Sequence, residues 1–105
     1  MVLIRFADEN IKKDFEKLKV RDEKLLRHLI NAIENIKEDP SCGIKISHKL
    51  IPKEWLKKYS ITNLYKYNLP NAWRLLYSLT GSQIEIIAII LGCYDHKNYK
   101  RKFKY

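Results

Sequence analysis

The feature of this chain that most constrains its fold is a near-continuous apolar run over residues 84–91, IEIIAIIL. A strand that is apolar on both sides is covered on both faces, so it belongs in the interior of a sheet. The uninterrupted part of the run, residues 86–91, is far shorter than the roughly 20 residues that a membrane-spanning helix needs. The run therefore predicts a buried, interior β-strand.

Two further strands precede this run. Residues 64–69 alternate in polarity, as a half-buried strand does. Pro70-Asn71 predicts a turn into a second strand over residues 73–79, and Thr80-Gly81-Ser82 predicts a turn into the apolar strand. The second half of the chain is thus predicted to be an antiparallel meander.

The first half predicts one strand followed by two helices. Residues 2–6 form a short β-type run, Asp8 is a helix N-cap, and apolar residues follow it at helical spacing. Asp22 marks the start of a second helix with a wide apolar stripe, which ends at Asp39-Pro40. The predicted fold is α+β in the order β-α-α-β-β-β with a short terminal helix. Residues 1–105 form one domain, and the two N-terminal helices pack on one face of a small, mainly antiparallel sheet. The apolar positions of the helices are Ile11, Phe15 and Leu18 in the first, and Leu25, Leu26, Leu29, Ile30, Ile33 and Ile36 in the second.

Residues 41–60 are a basic connector between these halves. The segment GIKISHKLI is compatible with a short strand, and PKEWLKKY predicts one or two helical turns with Pro52 at the first position.

Positive charge is confined to one half of the chain. The protein has a net charge of +9, yet residues 1–40 hold nine basic and nine acidic side chains. Residues 41–105 hold twelve Lys or Arg residues and only three acids, Glu54, Glu85 and Asp95. A surface that needs charge only for solubility usually mixes the two signs. The one-signed half therefore indicates a polyanionic partner, with nucleic acid the first candidate.

Other features of the sequence predict a soluble, cytoplasmic protein. The N-terminal sequence MVLIRFADEN has no basic region before an apolar stretch and no cleavage site, so no export signal is expected. Cys42 and Cys93 are far apart in unrelated contexts, which favours free thiols over a disulfide. We expect no membrane association.

The candidate site combines the meander with the C-terminal tail. Alternation places Arg74 on the same side of the sheet as Lys66, opposite the side that the two helices cover. We expect that second side to be an open, basic surface. Asp95 can cap a terminal helical turn that places His96 and Tyr99, three residues apart, on one face. Arg, Lys, His and Tyr side chains would then converge at one edge of the sheet.

These residue types fit RNA cleavage without a metal ion. The 2′-OH must lose a proton, fixed cations must stabilise the phosphorane, and the 5′-oxygen must gain a proton. His96 can transfer a proton near neutral pH, Arg74 can bind phosphate through paired hydrogen bonds, and Lys66 supplies a point charge. Tyr99 can donate to the leaving group or stack on an unpaired base. The three acids are scattered and no metal-binding motif occurs, so no metal ion or other cofactor is expected.

The same residues resemble the RelE/ParE superfamily of toxin–antitoxin toxins. NLYKYNLPNAWRLLYSL is similar to that family's signature of a basic-aromatic strand, a tight turn and an aromatic-Arg-aliphatic-aliphatic-Tyr strand. IEIIAIILGCYDHKNYKRKF is similar to its last strand and short tail, and IPKEWLKKYSITNLYKYNLP is similar to archaeal members. The resemblance covers the whole order of elements. It implies a RelE-like fold and a ribosome-dependent mRNA endonuclease that inhibits translation. Its partners would be the ribosome, mRNA and a small acidic antitoxin from an adjacent gene.

By position, Arg74 matches the family's phosphate-binding arginine and Lys66 a basic residue of the preceding strand. His96 and Tyr99 match the proton-transfer and base-stacking positions of the tail. The chain departs from the pattern at Asn68, where RelE proper has a second lysine. The acidic base of the YoeB branch has Glu54 as its candidate counterpart, so the general base stays open. The residues expected to bind substrate are Lys49, Lys53, Lys57, Asn68, Lys97, Lys100 and Arg101.

Two alternatives remain open. The ParE branch has the same fold and inhibits DNA gyrase without catalysis, and such an inhibitor would not need Arg74, Lys66, His96 and Tyr99 together. A non-catalytic RNA-binding module, or an inactive remnant of a toxin, is the second alternative. His28 and His48 are assigned to packing or to the surface.

Overall fold

The structure is a computed structural model that describes residues 2–82 and 84–103. The observed order of elements contains the predicted strand, helix pair and meander, and the connector forms a short strand and a helix where its sequence allowed them. The elements are β1 (Val2–Phe6), α1 (Glu9–Arg21), α2 (Glu23–Glu38), β2 (Ile44–Lys45), α3 (Lys53–Tyr59), β3 (Tyr65–Asn68), β4 (Arg74–Gly81), β5 (Ile86–Tyr94) and α4 (His96–Phe103).

Within these residues the strands form one sheet of five, in the order β1-β5-β4-β3-β2. β1 pairs with β5 in parallel, and the other neighbours are antiparallel. The α+β prediction is confirmed, and so is the interior position of the apolar strand, since β5 lies between β1 and β4. Its predicted bounds were shifted, however. Ile84 lies outside the strand with 87% of its surface exposed, and β5 continues to Tyr94.

A β-bulge explains why β5 extends beyond its predicted end. The pairing of β4 with β5 shifts by one residue between Leu76 and Tyr77, so β5 holds one extra residue there. Gly92 lies at this point with φ of 150°, and a Cβ atom on it would come within 2.9 Å of the Tyr94 ring. Gly92 therefore allows the chain to continue in the sheet past Leu91, the predicted end of the strand.

The two N-terminal helices begin at the predicted capping residues. Asp8 Oδ1 accepts a hydrogen bond from Ile11 N (2.8 Å), and Asp22 Oδ1 accepts from Lys24 N (3.0 Å) and Leu25 N (3.1 Å). The buried stripe of α2 is narrower than predicted, because Ile30 is half-exposed. The helices cover one face of the sheet and form the first core with it. Its buried members are Phe15, Leu25, Leu29, Ala32, Ile36, Leu69, Leu75, Tyr77, Ala88 and Ile90.

The opposite face of the sheet is not open, and this corrects the prediction. α3, the connector before it and α4 pack on that face and bury a second core. Leu76 and Leu91 project from the sheet into this core and are fully buried. A strand that is apolar on both sides needs cover on both faces, and these short elements provide the second cover. The buried members are Ile46, Ile51, Trp55, Ile61, Leu64, Leu76, Leu91, Tyr99 and Phe103.

Tyr77 fastens the start of the connector to the sheet. Its buried hydroxyl donates a hydrogen bond to Pro40 O (2.7 Å) and accepts one from Gly43 N (2.9 Å). We expect Tyr77→Phe to lower the free energy of unfolding by about 1–3 kcal/mol, because two backbone groups lose their partner. Denaturant unfolding measures the change. Tyr65→Phe is the matched control: the Tyr65 ring stacks on Tyr77 at 5.4 Å, and its hydroxyl makes no hydrogen bond with another described residue. Equal effects of the two substitutions would contradict the assignment.

Asp8 connects α1, on one face of the sheet, to α3, on the other. Besides capping α1, its Oδ2 accepts a hydrogen bond from the Tyr59 hydroxyl at the end of α3 and lies 3.4 Å from Lys58 Nζ. The Tyr59 and Ile11 hydrogen bonds lower the pKa of Asp8 below its ordinary value of 3.8.

Because the folded state lowers this pKa, the stabilisation from Asp8 is fully present above about pH 4 and is lost as the pH falls through the folded value. We therefore expect Asp8→Asn, which retains a capping oxygen, to destabilise the protein at pH 7 and to have little further effect near pH 2. Denaturant unfolding at both pH values checks this. A destabilisation that is the same at both would contradict the role of the charge.

Candidate nucleic-acid interface

The β3–β4 hairpin places three polar side chains on the α3–α4 side of the sheet. Lys66 lies opposite Leu76 of the second core, and Asn68 lies opposite Arg74. The predicted sidedness of this hairpin is confirmed. Its turn closes through the hydrogen bond from Leu69 N to Trp73 O (2.8 Å).

Arg74 is held from two directions. Its Nη1 donates a hydrogen bond to Ala72 O at 2.7 Å, and its Cζ lies 5.1 Å from the centroid of the Tyr99 ring. Ala72 adopts a left-handed conformation with φ of 62°, which aims its carbonyl group at the guanidinium. The Nε atom of Arg74 is buried and has no hydrogen-bond partner among the described residues. The position of this cation is therefore set by the protein before any anion binds.

The Tyr99 ring is buried beneath the side chains of Arg74 and Lys66 rather than on an open surface. α4 begins directly after its predicted capping residue Asp95, whose Oδ1 accepts a hydrogen bond from Asn98 N (2.9 Å). On this helix the Tyr99 side chain turns towards the sheet and is only 2% exposed. Its ring stacks on Phe103 at 4.5 Å, and Lys66 Nζ lies 5.7 Å from its centroid. The expectation that Tyr99 lies on an open face is wrong, because the i, i+4 pair of aromatic rings is the apolar side of α4.

His96 is the exposed first residue of α4. It follows Tyr94, the residue that lies opposite Arg74 in the sheet, by two positions. The chain thus brings His96 to the end of the sheet that holds Arg74. Its predicted role in proton transfer stays a prediction. His28 is partly buried on α2, and His48 is exposed in the connector.

Glu54 forms an ion pair with Lys102, which joins α3 to α4. Lys102 also lies over the Trp55 ring, with its Nζ 5.0 Å from the centroid. A carboxylate held by a cation is a poor proton acceptor, so this contact weakens Glu54 as the general base. Sequence reasoning did not single out Lys102. Its spacing of three residues from Tyr99 was the available signal.

The predicted substrate-binding residues are all exposed, and most of them lie on α3 and α4 or beside them. Lys49 and Lys53 line a cavity of about 440 Å³ between the connector and α4. Asn68 lies apart from them, opposite Arg74 at the end of β3. The remaining residues are Lys57 on α3 and Lys97, Lys100 and Arg101 on α4.

Cys42 and Cys93 are free thiols, as predicted, and burial raises the pKa of Cys93 to about 12, so that thiol is protonated at neutral pH. Over residues 2–82 and 84–103, no three His, Cys, Asp or Glu side chains are grouped closely enough to hold a metal ion. In the same residues no helix has the length and apolar character needed to cross a membrane.

Comparison of the chain with protein-family models, with curated proteins and with solved structures finds no match.

Proposed function

We propose that this protein is the toxin of a toxin–antitoxin pair and cleaves mRNA on the ribosome. The observation that carries the proposal is the convergence of Arg74 and Lys66 on the Tyr99 ring. Exposed basic residues of α4 lie beside it. Two cations fixed at one point can bind a phosphate and stabilise charge that develops on it. The resemblance to the RelE/ParE superfamily supplies the reaction and the ribosome as the setting.

In the proposed mechanism Arg74 binds the scissile phosphate and Lys66 adds a second positive charge. The 2′-OH loses its proton and attacks phosphorus, and the 5′-oxygen leaves with a proton. The products are a 2′,3′-cyclic phosphate and a 5′-hydroxyl end. His96 is the side chain proposed to move a proton here, because it is exposed and lies at the end of the sheet that holds Arg74.

Tyr99 has a positioning role in this mechanism. Its buried ring lies beneath both cations and cannot stack on an RNA base in this arrangement. Replacing it should therefore act through the placement of Arg74 and Lys66.

The proposed partner is a small acidic antitoxin that neutralises the basic surface. A short acidic reading frame beside this gene, whose product co-purifies with the protein on co-expression, would support it. Purification without such a partner would favour a solitary RNA-binding role.

A non-catalytic RNA-binding module is the second candidate. It is favoured by the burial of Tyr99 and by the ion pair of Glu54, since neither side chain is poised for proton transfer. Primer extension on a message bound to translating ribosomes separates the two. The toxin yields discrete cleavage ends, whereas the module binds the message and leaves it intact.

RNA binding itself should depend steeply on salt. Because the net charge of +9 arises from residues 41–105, binding must release counterions from the RNA. We expect the affinity for a 2′-O-methyl oligonucleotide, which cannot be cleaved, to fall by at least about tenfold between 50 and 200 mM salt. Fluorescence anisotropy over a salt series measures it. A flat dependence would argue against any polyanionic partner.

A further inference from the structure

We propose that the cavity between residues 49–54 and α4 binds one nucleotide of single-stranded RNA, next to the nucleotide whose phosphate Arg74 holds. We call it the flanking cavity. This proposal adds a substrate-binding subsite to the proposed function, and it rests on that function for the identity of the RNA. The cavity itself is defined by its shape and chemistry.

The flanking cavity has the size and polarity of a nucleotide site. Its volume is about 440 Å³, within the range of small-ligand sites. Its lining contains both basic and apolar side chains. The basic residues are Lys49, Lys53 and Lys102, and the apolar ones include Leu50, Pro52 and Phe103.

The basic side chains that line the cavity suit a phosphate group. Lys49 and Lys53 are exposed, and neither forms an ion pair with another described residue. The cavity also contains one carboxylate, Glu54, which would repel a phosphate. Lys102 pairs with that carboxylate, so the two remaining lysines leave the cavity with a net positive charge.

The apolar side chains that line the cavity suit a nucleotide base. Leu50 lines the cavity and keeps 44% of its surface exposed, so it offers an apolar surface to a base that enters. Phe103 lines the same space. An unpaired base can stack on such a surface whatever its sequence, whereas a base within a duplex cannot reach it. This combination favours single-stranded RNA.

One aromatic ring, that of Tyr99, lies between Phe103 of the flanking cavity and the Arg74 guanidinium. Phe103 stacks on Tyr99 with 4.5 Å between centroids, and the Arg74 guanidinium lies 5.1 Å from the centroid of the same Tyr99 ring. A strand whose phosphate is bound by Arg74 can therefore place an adjacent nucleotide in the cavity. Such a contact would orient the strand and contribute to binding at a distance from the reacting atoms.

Trp55 offers a local probe of occupancy. Its ring meets Phe103 edge to face at 6.0 Å, and Lys102 lies over it. Trp73, the other tryptophan, packs against the first core on the opposite face. In a Trp73→Phe background, the fluorescence of Trp55 should change on addition of 5′-UMP. We expect 5′-UMP to bind at least about fivefold more tightly than inorganic phosphate, the lower end of a stacking contribution. It should also bind more tightly than uridine, which lacks the phosphate.

Variants test the basic and the apolar side chains of the cavity separately. Lys49→Ala with Lys53→Ala should weaken 5′-UMP binding about tenfold at 50 mM salt, through loss of phosphate contacts. The matched control is Lys12→Ala with Lys13→Ala, two exposed lysines of α1 on the other side of the sheet. Leu50→Asp should abolish the preference for 5′-UMP over phosphate. Equal binding of 5′-UMP and phosphate by the parent protein, or equal losses in test and control variants, would overturn the proposal.

These measurements separate the cavity from the proposed function. If the protein cleaves ribosome-bound mRNA but the Leu50 and lysine variants bind and cleave like the parent, the cavity proposal fails and the function stands. If nucleotide binding follows the predicted pattern while no message is cleaved, the cavity stands and the proposed enzyme activity fails.

Discussion

Arg74→Ala and His96→Ala are each expected to reduce cleavage of ribosome-bound mRNA more than tenfold. Arg74 is fixed by the Ala72 carbonyl and the Tyr99 ring, so its removal takes away a cation that needs no rearrangement to meet the phosphate. His96 is the exposed group proposed to transfer the proton, a contribution of about a hundredfold or more in general acid–base catalysis. Primer extension with purified variants measures both rates.

Arg27→Ala is the matched control for the loss of one positive charge, because Arg27 is exposed on α2, across the sheet. Arg74→Lys should recover only part of the activity, since a lysine keeps the charge and loses the paired hydrogen bonds. A double variant of Arg74 and His96 that cleaves at the parental rate would refute the mechanism. The basic surface would then serve binding alone.

Tyr99→Ala is expected to lower the free energy of unfolding by about 3–5 kcal/mol, the usual effect of truncating a large buried aromatic side chain. The Tyr99 ring is 2% exposed and stacks on Phe103, so its loss leaves a cavity between α4 and the sheet. Tyr99→Phe should retain most of the stability and most of the cleavage activity, because it keeps the ring that carries Arg74 and Lys66. Denaturant unfolding and the cleavage assay are measured on the same preparations.

His96→Ala provides the control on the same helix, since an exposed side chain can be removed with little effect on packing. A small loss of stability in Tyr99→Ala would contradict the burial of the ring. Loss of cleavage in Tyr99→Phe at unchanged stability would show that the hydroxyl takes part in the reaction.

The positions of the candidate site residues were predictable from sequence where a local pattern determines the direction of a side chain. Strand alternation alone predicted that Lys66 and Arg74 share one side of the hairpin, and the register agrees. Asp95 predicted the start of α4, because a capping carboxylate acts on backbone groups within one helical turn. In these cases the interacting groups are near neighbours along the chain.

The surroundings of those residues were not predictable in the same way. Glu54 and Lys102 are 48 residues apart, and no local pattern pairs them. The sequence also could not decide whether Tyr99 is buried or exposed, because a tyrosine has an apolar ring and a polar tip and suits either position.

The sequence by itself determined the α+β class, the helix starts, the interior apolar strand and the concentration of positive charge in residues 41–105. Periodicity and capping involve residues that are close together in the sequence, and the charge of a segment is a count of its residues. Both can therefore be obtained from the sequence alone. Only the tertiary structure decided that α3 and α4 close the second face of the sheet and seat Arg74 and Lys66 on a buried ring. That arrangement depends on apolar residues from short, distant segments, each too brief to carry a periodic signal, which become a core only when the sheet brings them together.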